Sequence, residues 1–226
     1  FHIHKVNDIT NNIKMLEHKF CRYAIESYLC IKKQMTQDFT PAPNAIIVDA
    51  AFLNFITSDF KTNFERILNR ELSTIDLSSL FTYIALDWGV TPGENQIDVY
   101  ITYNNGCDNF DVCIPSDIAG LNGMAFNGHL GEFSFYTYSN EGMVDSNDFF
   151  LDSLHNLMSE KEIKRVAVIG FDGRCGEEID KILSESNGKI ATRFTMDKSA
   201  KGNGYATQIV AFPIMMALGI KSDELG

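Results

Sequence analysis

The stretch Lys164–Leu183, KRVAVIGFDGRCGEEIDKIL, decides the fold. Arg165 to Ile169 is a short run of apolar, largely β-branched residues that stops at Gly170, the composition of a buried strand. From Glu177 onward the apolar residues Ile179, Ile182 and Leu183 return at helical spacing. A chain that changes its apolar period at a glycine turn is building a strand, a tight turn and a helix, the repeating unit of an α/β sheet. Asp172 falls just past the strand's carboxyl end, where sheets of this class keep their ligands, so it is the first candidate for chemistry.

Upstream, the same alternation recurs. Ala45 to Val48 is a fully apolar strand that ends at Asp49, and AAFLNFI then opens a partly helical segment with Phe52, Phe55 and Ile56. Thr62-Asn63-Phe64-Glu65 matches a capping box, which predicts a helix from Asn63 to Leu72. Ser73, Thr74 or Asp76 can cap the next helix, whose apolar face is Leu77, Leu80, Phe81, Ile84 and Ala85 and which stops at Trp88-Gly89. Between Gln96 and Tyr103, Ile97, Val99 and Ile101 alternate with Asp98, Tyr100 and Thr102, the pattern of a strand with one polar face. Residues 104–131 are rich in Gly, Asn and Asp and hold no sustained period, which predicts a long loop, with a short strand near Asp111 to Ile114; a small-molecule enzyme using it as a lid is a third functional alternative. Phe133 to Tyr138 reads as a further strand and Asp145 to Met158 as a helix with Phe149, Phe150, Leu154 and Leu157 inward.

Downstream, Lys189 to Met196 is another strand, and Tyr205 to Leu218 reads as a buried helix kinked or broken at Pro213. Strands separated by helices in this order predict a doubly wound, mainly parallel sheet in a Rossmann-like three-layer α/β domain over residues 45–226. Ahead of it, from Asn7 to about Gln37, Ile9, Ile13, Leu16, Phe20, Ala24, Tyr28, Ile31 and Met35 recur every three or four positions, which describes one long amphipathic helix. Two prolines in FTPAPN, residues 39–44, separate this N-terminal helical arm, residues 1–38, from the domain. Its apolar face must be covered, either by its own domain or by a second copy in a homodimer.

Composition limits the partners. Nineteen basic residues against thirty acidic ones give a formal charge of −11, which argues against broad, sequence-independent binding to a phosphate backbone and leaves room only for a local nucleic-acid site. The five cysteines are scattered without a Cys-x-x-Cys pair, so neither a disulfide framework nor a zinc site is indicated and a reducing, cytoplasmic setting is expected. No apolar run reaches transmembrane length. The histidines show no metal-ligand spacing, and Cys175 lacks an identified base.

The sharpest chemical candidate is a carboxylate cluster. Asp49 and Asp172 both stand at or just past the carboxyl ends of apolar strands, so a parallel sheet brings them to one rim, and Asp148 and Asp152, one helical turn apart, offer a further ligand. Gathered carboxylates repel one another unless a cation or proton intervenes, and ligand sets of oxygen alone favour Mg²⁺ or Mn²⁺. The plainer alternative is that Asp49 caps the following helix and Asp172 makes a turn. A third reading takes Gly170, Gly173 and Gly176 as a phosphate loop, but Glu177 and Glu178 already place negative charge in the first helical turn. Lys198 and Lys201 offer a possible anion contact from a surface loop.

Taken together, IIVDAAFLNF (46–55), IDLSSLFTYIALDWGV (75–90), IDVYITYN (97–104), NDFFLDSLHNLM (147–158) and VAVIGFDG (166–173) resemble the succession found in PIN-like nucleases of the NYN type. The resemblance spans about Ala45 to Met196 and implies metal-dependent cleavage of RNA. It implies Asp49, Asp152 and Asp172 as catalytic carboxylates, with Asp148 as the alternative ligand on its helix. Two departures stand out. Where the family usually carries an asparagine three residues after the first aspartate this chain has Phe52, with Asn54 nearby, and Arg174 stands at the second position of the family's Asp-x-Asp. Both departures favour the alternative function, a non-catalytic binding or structural module on the same fold.

Overall fold

The computed structural model describes residues 40–142, 144–185, 188–196 and 202–224, so the predicted N-terminal arm and the Lys198 and Lys201 loop positions lie outside it. In chain order the strands are β1 (Asn44–Asp49), β2 (Ile75–Asp76), β3 (Asn95–Tyr103), β4 (Cys113–Ile114), β5 (Ala125–Gly128), β6 (Gly131–Ser139), β7 (Arg165–Ile169), β8 (Ile190–Thr195) and β9 (Ala206–Ile209). The helices are α1 (Ala50–Leu68), α2 (Leu77–Asp87), α3 (Ser146–Ser159), α4 (Asp172–Ser184) and α5 (Ala211–Ala217).

Ala45, Ile46, Ile47 and Val48 have no exposed surface, and a strand that is apolar on both faces needs a covering layer on each. β1 is accordingly central, paired in parallel with β3 on one side and β7 on the other. The seven-stranded sheet runs β5-β6-β3-β1-β7-β8-β9, and within it the β5–β6 hairpin supplies the antiparallel pairing. On one face Ile46, Val48, Val99, Ile101 and Phe133 pack with residues of α1, α2 and α5. On the other, Ala45, Ile47, Tyr100, Val166 and Val168 pack with α3 and α4. The mainly parallel α/β sheet expected from the sequence is therefore present, as are the inward faces expected for α2 and α3.

Several local expectations differ from what the chain does. Instead of starting at Asn63, α1 runs unbroken from Ala50, because Asp49 caps it. Glu65, the supposed capping-box acid, accepts from Lys61 and from the Leu72 backbone N–H at 2.9 Å, tying down the helix exit. Nor does β3 have a solvated face: Asp98, Tyr100 and Thr102 are all at most 5% exposed, since an interior strand is covered on both sides.

Residues 104–130 are no lid. Ahead of β5, Phe110, Cys113, Ile118 and Leu121 are buried in the core beside α1 and α2, so this segment, which includes the short strand expected near Asp111 to Ile114 as β4, performs the covering role that a helix performs in other crossovers. Finally, the segment expected as one helix over 205–218 begins as β9, with helix only from Ala211. Pro213 neither kinks nor breaks it, because it lies in the first turn, where a backbone N–H has no helical acceptor.

Candidate functional site

Chain order along the sheet reverses at β1 and β7, whose neighbours β3 and β8 lead to opposite edges, and a crevice beyond the carboxyl ends of such a pair is the usual ligand position of open α/β sheets. Asp49 ends β1, and Gly170, Phe171 and Asp172 follow β7, so both sequence-predicted aspartates stand on this rim. Their carboxylates are held by different elements.

Asp49 is 6% exposed and holds an extended backbone, φ −80° and ψ 113°, that lets its side chain fold back over the start of α1. Its Oδ1 accepts from the N–H of Ala51 at 2.9 Å and of Phe52 at 3.2 Å. Burial raises its pKa above 3.8, since the charged form has lost water; the Phe52 and Ala51 amides and the Arg174 charge offset only part of that.

Asp172 opens α4 and turns the other way, toward β8. Its Oδ1 accepts from Arg193 Nη2 at 2.6 Å, and its Oδ2 accepts from Thr195 Oγ1 at 2.7 Å and the Met196 N–H at 3.1 Å. Arg193 is itself buried, and it also donates to the Gly176 carbonyl at 3.1 Å and to Asp180, which in turn accepts from the Tyr205 hydroxyl. The buried guanidinium thus sits between two carboxylates, with Asp172 on Nη2 and Asp180 on Nη1.

Of the remaining candidates, Asp148 is exposed in the first turn of α3, beside the cap Asp145, and Asp152 is half-buried one turn on. A negative charge at that helix start complements the dipole. Among the described residues, no group of three or more His, Cys, Asp or Glu side chains is placed to hold a metal ion, so the four aspartates do not form one.

Around Asp49 the rim is aromatic and cationic. Phe171 packs against Phe52 at 4.8 Å and Phe55 at 6.1 Å between ring centroids, and the Arg174 guanidinium carbon lies 4.2 Å over the Phe171 ring. Phe55 is 59% exposed. Asn54 faces elsewhere: it donates to Asp111 at 2.9 Å and accepts from the Asp111 N–H at 2.8 Å, fastening the 104–130 crossover to α1. Burial, then the charges of Asp49, Asp111 and Asp108, push the Cys107 thiol up to about 11. Cys175 is also raised to about 11, chiefly by burial, so neither is a thiolate nucleophile at neutral pH.

Two of the three glycines of the supposed phosphate loop, Gly170 and Gly176, have packing reasons, while Gly173 has open space around it. A Cβ on Gly170 would lie 2.8 Å from the Phe150 ring, and one on Gly176 would lie 2.8 Å from Arg193 Nη2. Sequence reasoning missed Arg193 because it looks like an ordinary surface cation among Ala191, Thr192 and Phe194. The signal available was its position inside an otherwise apolar strand, where a charge must be paired.

A model described as a family of unknown function (DUF6621) matches residues 38–225 of the chain. No curated protein and no solved structure matches it.

Proposed function

The chain belongs to the DUF6621 family, and from that premise we propose that it is a non-catalytic binding module on a doubly wound, PIN-like α/β fold with an N-terminal helical arm. One observation carries the reading: the Asp172 carboxylate, which a nuclease of this type would present to a cation, spends both oxygens on Arg193, Thr195 and Met196. Moving it to a metal would break its bonds to Arg193 Nη2, the Thr195 hydroxyl and the Met196 N–H, and would leave those donors without this acceptor while Arg193 stays paired with Asp180. Asp49 likewise serves α1 as its cap.

What the crevice offers instead is a stacking surface. Exposed Phe55, half-buried Phe171 and Arg174 suit a flat ligand, and unpaired RNA bases are the case in point, held by stacking rather than by the acidic surface around them. The competing reading, Mg²⁺- or Mn²⁺-dependent RNA cleavage by Asp49, Asp152 and Asp172 with Asp148 in reserve, is favoured by the raised proton affinity of Asp49 at the rim. Single-stranded RNA incubated with the protein and Mn²⁺ separates the two. The binding module retains the RNA uncut, and Phe55→Ala or Arg174→Ala weakens retention while Asp172→Asn leaves the RNA intact. Metal-dependent cleavage that Asp49→Asn abolishes would overturn it in favour of the nuclease, and RNA neither held nor cut would remove the binding role.

A further inference from the structure

Among the described residues, two helices, α3 and α4, form the layer on the face of the sheet that carries Tyr100, and they lie over β3, β1, β7 and β8. Toward the β6 side this face is a ladder of tyrosines. Tyr100 stacks on Tyr136 with centroids 5.4 Å apart and on Tyr138 at 6.3 Å, and Tyr136 and Tyr138 are half-buried. Asp98, buried at the foot of the ladder, accepts from the Tyr100 hydroxyl at 3.0 Å and from the Ala42 N–H at 2.8 Å. The chain therefore enters the domain at this face, with residues 1–39 immediately ahead of that anchor.

We propose that residues 7–37 form an amphipathic helix that docks in cis on the tyrosine face of β6, over Tyr136 and Tyr138, as a further helix of the layer begun by α3 and α4. This rests on the helical-arm part of the reading above. Direction agrees: a helix leading into Asn44 at the amino end of β1 must run antiparallel to the strands, as crossover helices do. Length suffices to cross the face with several turns to spare. Thirty-one helical residues span roughly 45 Å, against roughly 30 Å for the nine residues of β6.

Charge points the same way. Residues 1–39 hold six basic and four acidic residues, a net of +2, which leaves −13 on the rest of a chain whose total is −11. A basic amphipathic segment tethered a few residues from an acidic body meets that body at high effective concentration. Its stripe of Ile9, Ile13, Leu16, Phe20, Tyr28 and Ile31 supplies apolar side chains to pack on the rings.

Hydrogen exchange on the full chain, read by mass spectrometry beside its mass by light scattering, tests this. Residues 7–37 are expected to be protected in a monomer. Tyr136→Ser with Tyr138→Ser should abolish that protection while Val166 to Ile169 in β7 stay protected. Should this variant fail to fold, Phe20→Asp leaves the domain unaltered, and radical footprinting should then show Tyr136 and Tyr138 newly labelled. Protection that survives the tyrosine changes, or tyrosine labelling unmoved by Phe20→Asp, would refute the docking face and leave the arm standing. No protection in the wild-type chain would remove the arm itself, and protection found only in a dimer would assign the face to a second copy. None of these outcomes bears on the RNA and metal assay, so the two readings fail separately.

Discussion

Asp49 shows how one side chain is fitted to a helix start at an electrostatic cost. Its Oδ1 satisfies two backbone N–H groups, yet burial dominates its proton affinity and raises its pKa above 3.8. The folded chain thus binds this proton more tightly than the unfolded chain does. Ionised Asp49 consequently costs no stability below pH 3.8 and a growing amount as pH rises through the raised value. Asp49→Asn keeps an acceptor oxygen for Ala51 and Phe52 and removes the charge. Urea unfolding across that range should show the variant gaining on wild type as pH rises, whereas a gap that is constant, or shrinks, would show that the carboxylate is not burdened by burial. Asp172 is held differently: its carboxylate bonds Arg193 at 2.6 Å, and removing it leaves the guanidinium with Asp180 and one donor nitrogen without that acceptor.

Among the elements, the least regular one does the most unexpected work. Residues 104–124 cover the sheet where a crossover helix would be expected, and Leu121 within them is 1% exposed. Leu121→Ala is expected to destabilise the domain by about 2–5 kcal/mol, as core leucine truncations do. A lid would lose no stability on the same change, so a denaturation midpoint that does not move would return the segment to that role. Its function was hidden from the sequence because an aperiodic segment with many Gly, Asn and Asp residues carries no amphipathic signal even when its few apolar residues are all inward. α1 misled for a different reason. Thr62 to Glu65 satisfies the letter of a capping box, but a helix already capped at Asp49 has no need to restart, and Glu65 is used at its exit.

At the scale of the molecule, the central strands were legible because burial on two faces writes an unbroken apolar run: β1 and β7 were readable to within a residue. β9 was not, since an edge strand with Thr207 and Gln208 lacks that run and merges with the apolar helix after it. The rim position of Asp49 and Asp172 also followed from strand ends alone. Where their carboxylates point did not, because the partner of Asp172 is Arg193, a full helix away in the chain and adjacent only once β8 has paired with β7. That pairing is the centre of the account, and it has a direct measurement: the melting temperatures of wild type and Asp172→Asn, each with and without millimolar Mn²⁺. A structural Asp172 predicts no response to Mn²⁺ in either protein and a less stable variant, by about 1–3 kcal/mol for a lost charged hydrogen-bond acceptor. A metal-binding Asp172 predicts the reverse: Mn²⁺ raises the wild-type melting temperature by mass action, the variant responds less, and without metal the variant melts higher because a repelling charge is gone.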